Sequence, residues 1–280
     1  MVMQQHSENG DDRSTIADGE STRQLYSAIA AQYDATFASP THRRAYDLLA
    51  YERVCSLLPS TPCVIIDAGC GTGRGAQQLL DLGHCVIGIE HAPDMINGLA
   101  KRELGPNFSL FTESMETVQI APASADLVIA MGSVQYTSDP AAMLTRFATW
   151  VKPGGSVCVH VDSLVALVME LLGSDRQEEA LKRLLSRRGV FRQDSFTAGL
   201  RLYDRRTLEA DFATAGLVNI KCCGLVMMAS AWGREGCARA MLDDEASYLQ
   251  LERELSMQQV LADTGLHLFA SGRRPTSVAS

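Results

Sequence analysis

The sequence predicts an α/β fold, with a doubly wound, mostly parallel sheet and helices on both faces. Three observations predict it. From residue 63 to residue 162, short apolar runs of strand length alternate with helix-length segments. That alternation requires crossover connections and hence parallel pairing. The first run, C-V-I-I-D-A (63–68), leads into a loop with Gly69, Gly71, Gly73 and Gly75 at every second position. Residues able to do chemistry follow the strand runs, and such sheets bind ligands outside the carboxyl ends of their strands.

Each element follows in order. Residues 1–20 are polar and read as a disordered tail. Residues 21–58 have helical periodicity, with Tyr26, Tyr33, Tyr46 and Tyr51, and split into two helices near Ser39-Pro40. The strands are expected at 63–68, 85–90 (C-V-I-G-I-E), 108–113 (F-S-L-F-T-E), 125–131 (A-D-L-V-I-A-M) and 156–162 (S-V-C-V-H-V-D). Helices are expected over 74–82, from Pro93, and from Pro140 through Trp150, because proline suits the first helical position. K-P-G-G (152–155) reads as a turn. Residues 163–206 break the alternation and read as a helical, charged insertion. Two further strand-like runs, 216–228 and 265–274, enclose an amphipathic helical stretch over 235–256. The expected organisation is a tail over 1–20 and a single domain over 21–280. Within that domain, 21–58 is a helical lid, 60–162 a ligand-binding core, 163–206 a cover and 207–280 the closing strands and helix.

Composition narrows the classes. Of 280 residues, 46% are hydrophobic and 21% charged, which suits a soluble domain with a sizeable core. A net charge of -8 argues against nucleic-acid binding, which needs a clustered basic face. Arg187, Arg188, Arg192, Arg201, Arg205 and Arg206 read as a solvated surface. The start, M-V-M-Q-Q-H-S-E-N-G-D-D-R-S-T, is polar and acidic, so no signal peptide is read there. No apolar run approaches the ~18 residues of a membrane span. The eight cysteines form no C-x-x-C or Cys/His ligand spacing, which fits a reduced, cytoplasmic setting without a metal site. His84, before a strand run, reads as a surface loop residue.

The glycine loop limits the ligand. Glycine admits positive φ and lets ligand atoms approach the main chain. The helix behind supplies free N–H groups, which favour an anion and fit a dinucleotide or a carboxylate equally. Gly71-T-Gly73-R-G-Ala76 satisfies a relaxed dinucleotide pattern, and Glu90 follows Gly71 by 19 residues, where it can bind a ribose diol. Asp67 bears on the choice: at the mouth of the loop it repels a pyrophosphate and suits an ammonium. A ligand with adenosine at one end and an amino acid at the other, S-adenosylmethionine, meets both demands.

D-A-G-C-G-T-G (67–73) resembles the first motif of the class I S-adenosylmethionine-dependent methyltransferases of small-molecule type. The resemblance extends through V-I-G-I-E-H-A-P-D-M-I (86–96), A-D-L-V-I-A-M-G-S-V-Q-Y (125–136) and V-K-P-G-G (151–155), with Y-S-A-I-A-A-Q-Y-D (26–34) upstream. It implies a Rossmann-like, seven-stranded sheet and roles at matching positions. Asp67 would hold the methionine amino group, and Gly69, Cys70 and Gly71 would pass beneath the cofactor. Glu90 would bind the ribose, with His91 and Met95 beside the adenosine. Ser114 and Met115 would meet adenine, although many members have Asp where Ser114 stands. Met131 would lie near the sulfonium, and Tyr26 and Tyr33 would belong to a lid.

Methyl transfer needs in-line positioning, and for some acceptors a base. His160, Asp162 and Cys158 share one face of their strand. His160, Tyr136 and His42 are the catalytic candidates, with Gln135 to orient an acceptor. The expected acceptor is a small molecule, with a secondary metabolite as the leading class, and the expected assembly is a monomer or homodimer without nucleic acid or membrane. Three alternatives are an NAD-dependent oxidoreductase, a methyltransferase-like scaffold that performs another reaction such as a cyclisation, and a non-catalytic binding protein.

Overall fold

The computed structural model describes residues 18–276. Its centre is a seven-stranded sheet in the order β3-β2-β1-β4-β5-β9-β8. These strands are β1 (Val64–Ala68), β2 (Cys85–Ile89), β3 (Phe108–Phe111), β4 (Ala125–Met131), β5 (Val151–Asp162), β8 (Val218–Leu225) and β9 (His267–Arg273). β1 to β5 pair in parallel, while β9 runs antiparallel to both β5 and β8. Strand order reverses between β1 and β4, the place where such sheets open a crevice. Val64–Ala68 is buried along nearly its whole length, as a central strand covered on both faces must be.

Helices cover both faces. On one side, α6 (Pro140–Trp150) and α9 (Arg205–Thr214) bury Leu144, Phe147, Leu208 and Phe212 against the sheet. On the other, α3 (His42–Cys55), α4 (Arg74–Asp81) and α10 (Ala229–Ser256) bury Leu49, Val54, Leu79, Tyr248 and Leu249. The starts follow capping chemistry. Asp139 accepts from Ala142 N ahead of Pro140, and Asp204 and Thr207 form a capping box. α5 (Pro93–Ala100) likewise begins on its proline.

The remaining elements form a cover at the carboxyl edge of the parallel strands. α1 (Gly19–Tyr33) and α2 (Ala35–Ala38) precede α3, so the chain breaks at Asp34 as well as near Ser39-Pro40. Asp34 anchors this break to the core by accepting from Thr72 Oγ1 at 2.6 Å and pairing with Arg102. After β5 come α7 (Leu164–Gly173) and α8 (Gln177–Ser186), then a hairpin of β6 (Arg188–Gln193) and β7 (Phe196–Arg201). Leu25, Leu164, Ala198, Leu200 and Leu202 join α1, α7 and the hairpin in one small core.

Several expectations change. The insertion is half hairpin: Asp194, at φ 52, sits in the tight turn between Gln193 and Phe196. The K-P-G-G segment is a bulge within β5, because β4–β5 pairing jumps from Ala125↔Val151 to Leu127↔Ser156. His84 is buried, with Nδ1 accepting from Cys63 N at 3.2 Å. Residues 1–17 of the expected tail lie outside the described residues, and α1 already begins at Gly19. No helix among the described residues is long and apolar enough to cross a membrane.

Glu252 ties α10 to the end of β8. It is fully buried and accepts from Met227 N at 2.8 Å, Met228 N at 3.0 Å and Tyr248 Oη at 3.1 Å. Glu252→Ala strands two buried N–H donors, so urea unfolding should show a loss of about 3 kcal/mol. A loss below about 0.5 kcal/mol would contradict this accounting.

Candidate functional site

The glycine loop leaves β1 at the strand-order reversal. Gly69 N and Cys70 N donate to Ile89 O at 2.8 and 3.1 Å, which binds the loop to the end of β2. Gly69 has φ 84, and a Cβ there would stand 2.5 Å from Ser133 Cβ. Gly71 has φ 56 and differs in kind. A Cβ there would meet nothing nearer than Tyr33 Cε1 at 3.9 Å and Met95 Sδ at 4.0 Å, so its main chain is bare to a cleft. Cys70 contributes backbone to the loop, whereas its thiol packs toward Gly88.

The cleft has two compartments that share Tyr26, Tyr33, Gly69, Gly71, Met131 and Tyr136 as a waist. The smaller, a cavity of about 70 Å³, is lined by Glu90, His91, Met95, Ser114 and Met115, all five expected beside the nucleoside. Glu113 and Thr22 line it too, and neither stood out in the sequence. The larger, about 240 Å³, holds Asp67, His42, His160 and Gln135. Every candidate residue read from the sequence therefore borders this one cleft.

The two carboxylates differ in their partners. Glu90 accepts from Gly71 N at 3.0 Å and from His91 N and Ala92 N, both at 2.8 Å. It thus fixes the loop while facing the smaller compartment. Asp67 is only 5% exposed, and among the described residues its carboxyl has no hydrogen-bond partner. Burial, and then the charge of Glu90, push it up to about 7, against a weaker pull from Arg74. Arg74 cannot help more, because both its terminal nitrogens are held by Asp47 at 2.6 and 2.5 Å.

The larger compartment has one more isolated charge. Arg43 of α3 has tyrosines as its main electrostatic partners, Tyr46 first and then Tyr33, Tyr26 and Tyr136, and no carboxylate among the described residues forms an ion pair with it. Other charged groups there have contacts. Arg234 binds Glu170 at 3.1 and 3.0 Å, and Asp162 lies 2.9 Å from His267 Nδ1. Sequence reading missed Arg43 and His267. A helix arginine looks like any surface charge, and His267 begins the antiparallel strand β9, whose first residue reaches the edge where the parallel strands end.

The imidazoles differ as well. Burial, and then His267, push His160 down to about 3, and its Nε2 is buried without a partner. Burial and Arg234 push His42 to about 2, consistent with Arg234 Nη1 donating to His42 Nε2 at 3.1 Å. Both rings stay neutral across the physiological range and are weak proton acceptors. Burial also raises the Tyr26 and Tyr136 hydroxyls, whose rings meet edge-on at 5.6 Å.

A cofactor fits this arrangement on its own evidence. The orphaned Asp67 carboxyl asks for a cation, the bare Gly71 main chain leaves room above it, and the Glu90 compartment lies on the loop's other side.

Residues 65–155 match the methyltransferase-domain family. A malonyl-[acyl-carrier protein] O-methyltransferase of Yersinia pestis is 31% identical over 97 residues, which is 35% of this chain and 36% of that protein. The chain therefore spans about a third of that relative's length. Among solved structures, an S-adenosylmethionine-dependent methyltransferase of Thermotoga maritima, described as a possible histamine N-methyltransferase, superposes with a TM-score of 0.57 at 16% identity. That match covers 90% of this chain and 99% of that one. A [4+2]-cyclase superposes with a TM-score of 0.59 at 15% identity, over 91% and 96% of the two chains. At such identities the two structures share the fold, and one fold can host both reactions.

Asp67 makes a prediction for the ligand-free protein. Its carboxyl takes a proton at about 7 in the fold and at 3.8 ordinarily, so the folded state holds the extra proton between those values. Stability then falls as pH rises through this window, by on the order of 4 kcal/mol in total. Asp67→Asn removes that slope. Thermal melts should show the variant more stable than wild type at about pH 8, with a gap less than half as large at about pH 5. Equal melts at both values would contradict the isolation of Asp67.

Proposed function

We propose that this chain, whose core is a class I S-adenosylmethionine-dependent methyltransferase domain, transfers a methyl group from S-adenosylmethionine to a small-molecule acceptor. One observation carries the reading: a buried carboxyl and an unpaired guanidinium, Asp67 and Arg43, border the same cavity as the bare glycine loop. A zwitterionic amino-acid end satisfies both, with its ammonium at Asp67 and its carboxylate at Arg43. Glu90, Ser114 and Met115 line a compartment of suitable character for an adenosine. A dinucleotide fits worse, since its pyrophosphate would meet Asp67 and leave that carboxyl without a cation.

S-adenosylmethionine supplies an electrophilic methyl group on a sulfonium. The chain's own residues would then orient and enclose. Tyr26, Tyr136 and Met131 narrow the waist between the compartments and so set where an acceptor can approach. Side chains of α1, α3 and the hairpin line the larger compartment. Such positioning is worth up to about 7–11 kcal/mol in well-oriented systems. A concave compartment of about 240 Å³ suits a small metabolite, in our reading a secondary one, better than a folded protein or a duplex.

Calorimetry tests this. Wild type should bind S-adenosylhomocysteine with a Kd in the range of about 1–100 µM and NAD at least about tenfold more weakly. Asp67→Asn and Glu90→Ala should each weaken S-adenosylhomocysteine by about tenfold or more, about 1.4 kcal/mol. Arg43→Gln should weaken it similarly yet leave 5′-methylthioadenosine, which lacks the amino-acid end, unaffected. Tighter binding of NAD would overturn the reading.

A further inference from the structure

We propose that His267, backed by Asp162, is the general base that removes a proton from a neutral, hydroxyl-bearing acceptor. The proposal rests on the methyltransferase reading.

Topology puts His267 at the site. β9 is antiparallel to β5, and the register pairs Asp162 with His267, so the last residue of one strand faces the first of the other. His267 Nδ1 lies 2.9 Å from Asp162 Oδ1, close although not aligned with the ring's donor direction. Burial acts to raise the Asp162 carboxyl, but contact with His267 and the charges of His267, His160 and Arg234 hold it below its usual range. It is therefore an anion at neutral pH. Tyr46 of α3 and His160 of β5 pack on the His267 ring, each with centroids 4.5 Å away, and fix its plane.

The second nitrogen has no hydrogen-bond partner among the described residues. His267 Nε2 is buried without a hydrogen-bond partner, in a residue that lines the larger compartment. A native protein leaves few such atoms unpaired, and a ligand's proton is one way to satisfy it. His42 already faces Arg234, and His160, although it feels the Asp162 charge, makes no ion pair with that carboxylate. Among the described residues, His267 is the one of these three imidazoles with a carboxylate within ion-pair distance, placed to hold the imidazolium it becomes.

Charge matching defines the acceptor class. With Asp67 and Arg43 committed to the cofactor's amino-acid end, the other ions are paired internally: Arg74 with Asp47, Arg234 with Glu170. Apart from the Asp162 anion behind His267, an acceptor thus meets no unbalanced charge among the described residues. It meets apolar walls, among them Phe37, Phe191, Leu200 and Leu202. A neutral amine already carries the lone pair needed for attack, and a carboxylate needs no base but would want a cation. A hydroxyl is the acceptor that needs a buttressed base. Its O–H proton passes to His267 Nε2, and the oxygen lone pair forms the bond to the methyl carbon. The carbon–sulfur pair stays on sulfur, giving a neutral thioether, and the imidazolium faces Asp162.

The test uses 4-nitrophenol as a spectroscopic probe on protein saturated with S-adenosylhomocysteine, at about pH 6, where free probe is largely neutral. Wild type should hold the bound probe as the coloured phenolate. His267→Gln should bind the probe yet cut the phenolate fraction by at least about fivefold, and Asp162→Asn should cut it less. Calorimetry on the same samples should find S-adenosylhomocysteine affinity within about twofold of wild type, which shows the variants folded. A bound probe that stays neutral in wild type, a phenolate that survives His267→Gln, or no uptake of the probe overturns the proposal. Wild type that fails to bind S-adenosylhomocysteine sinks instead the methyltransferase reading beneath it.

Discussion

A buried carboxylate with no cation of its own is the constraint around which this site is organised. Asp67 is the penultimate residue of a central strand, where both faces of the sheet are covered and its side chain is buried. The one arginine near enough to help is turned toward Asp47, and Glu90 adds a second negative charge. The protein thus keeps a carboxyl partly protonated at neutral pH rather than pairing it, an arrangement that costs stability and is reversed when a cation arrives.

The neighbouring features follow from that choice. A loop carrying anything but glycine at Gly69 would collide with Ser133, and a side chain at Gly71 would fill the space over the main chain. Glu90 spends its lone pairs chiefly on three backbone N–H groups, so its first service is to hold the loop, with a face left to the smaller compartment. Arg43 repeats the logic of Asp67 with opposite sign on a covering helix. Two uncompensated opposite charges in one cavity describe a zwitterion more narrowly than either does alone.

Much of this was legible in the sequence because it is local. Strand–helix alternation, the glycine spacing and the acidic residues at 67 and 90 are patterns of neighbours, and the parallel half of the sheet appears where they put it. What was missed depends on pairing across the chain. The β6–β7 hairpin was hidden because its arginines suggested a solvated helix, while its core-facing side, Phe191, Ala198 and Leu200, shows only once the strands pair. The K-P-G-G bulge looked like a turn because glycine and proline mark both. Arg43 has no signature until its lack of a partner is seen in three dimensions. His267 escaped because parallel strands direct attention to their carboxyl ends, whereas β9 brings its amino end to the same edge.

The most direct test of the central claim is the proton balance of cofactor binding. Calorimetric titration of S-adenosylhomocysteine in buffers of differing ionisation heat gives the protons exchanged per ligand. If Asp67 waits protonated and ionises to receive the ammonium, binding at about pH 6 should release about one proton, falling toward none by about pH 8.5, and Asp67→Asn should release none at either pH. Binding by wild type without proton release at the lower pH, or equal release by the variant, would mean that the cation goes elsewhere.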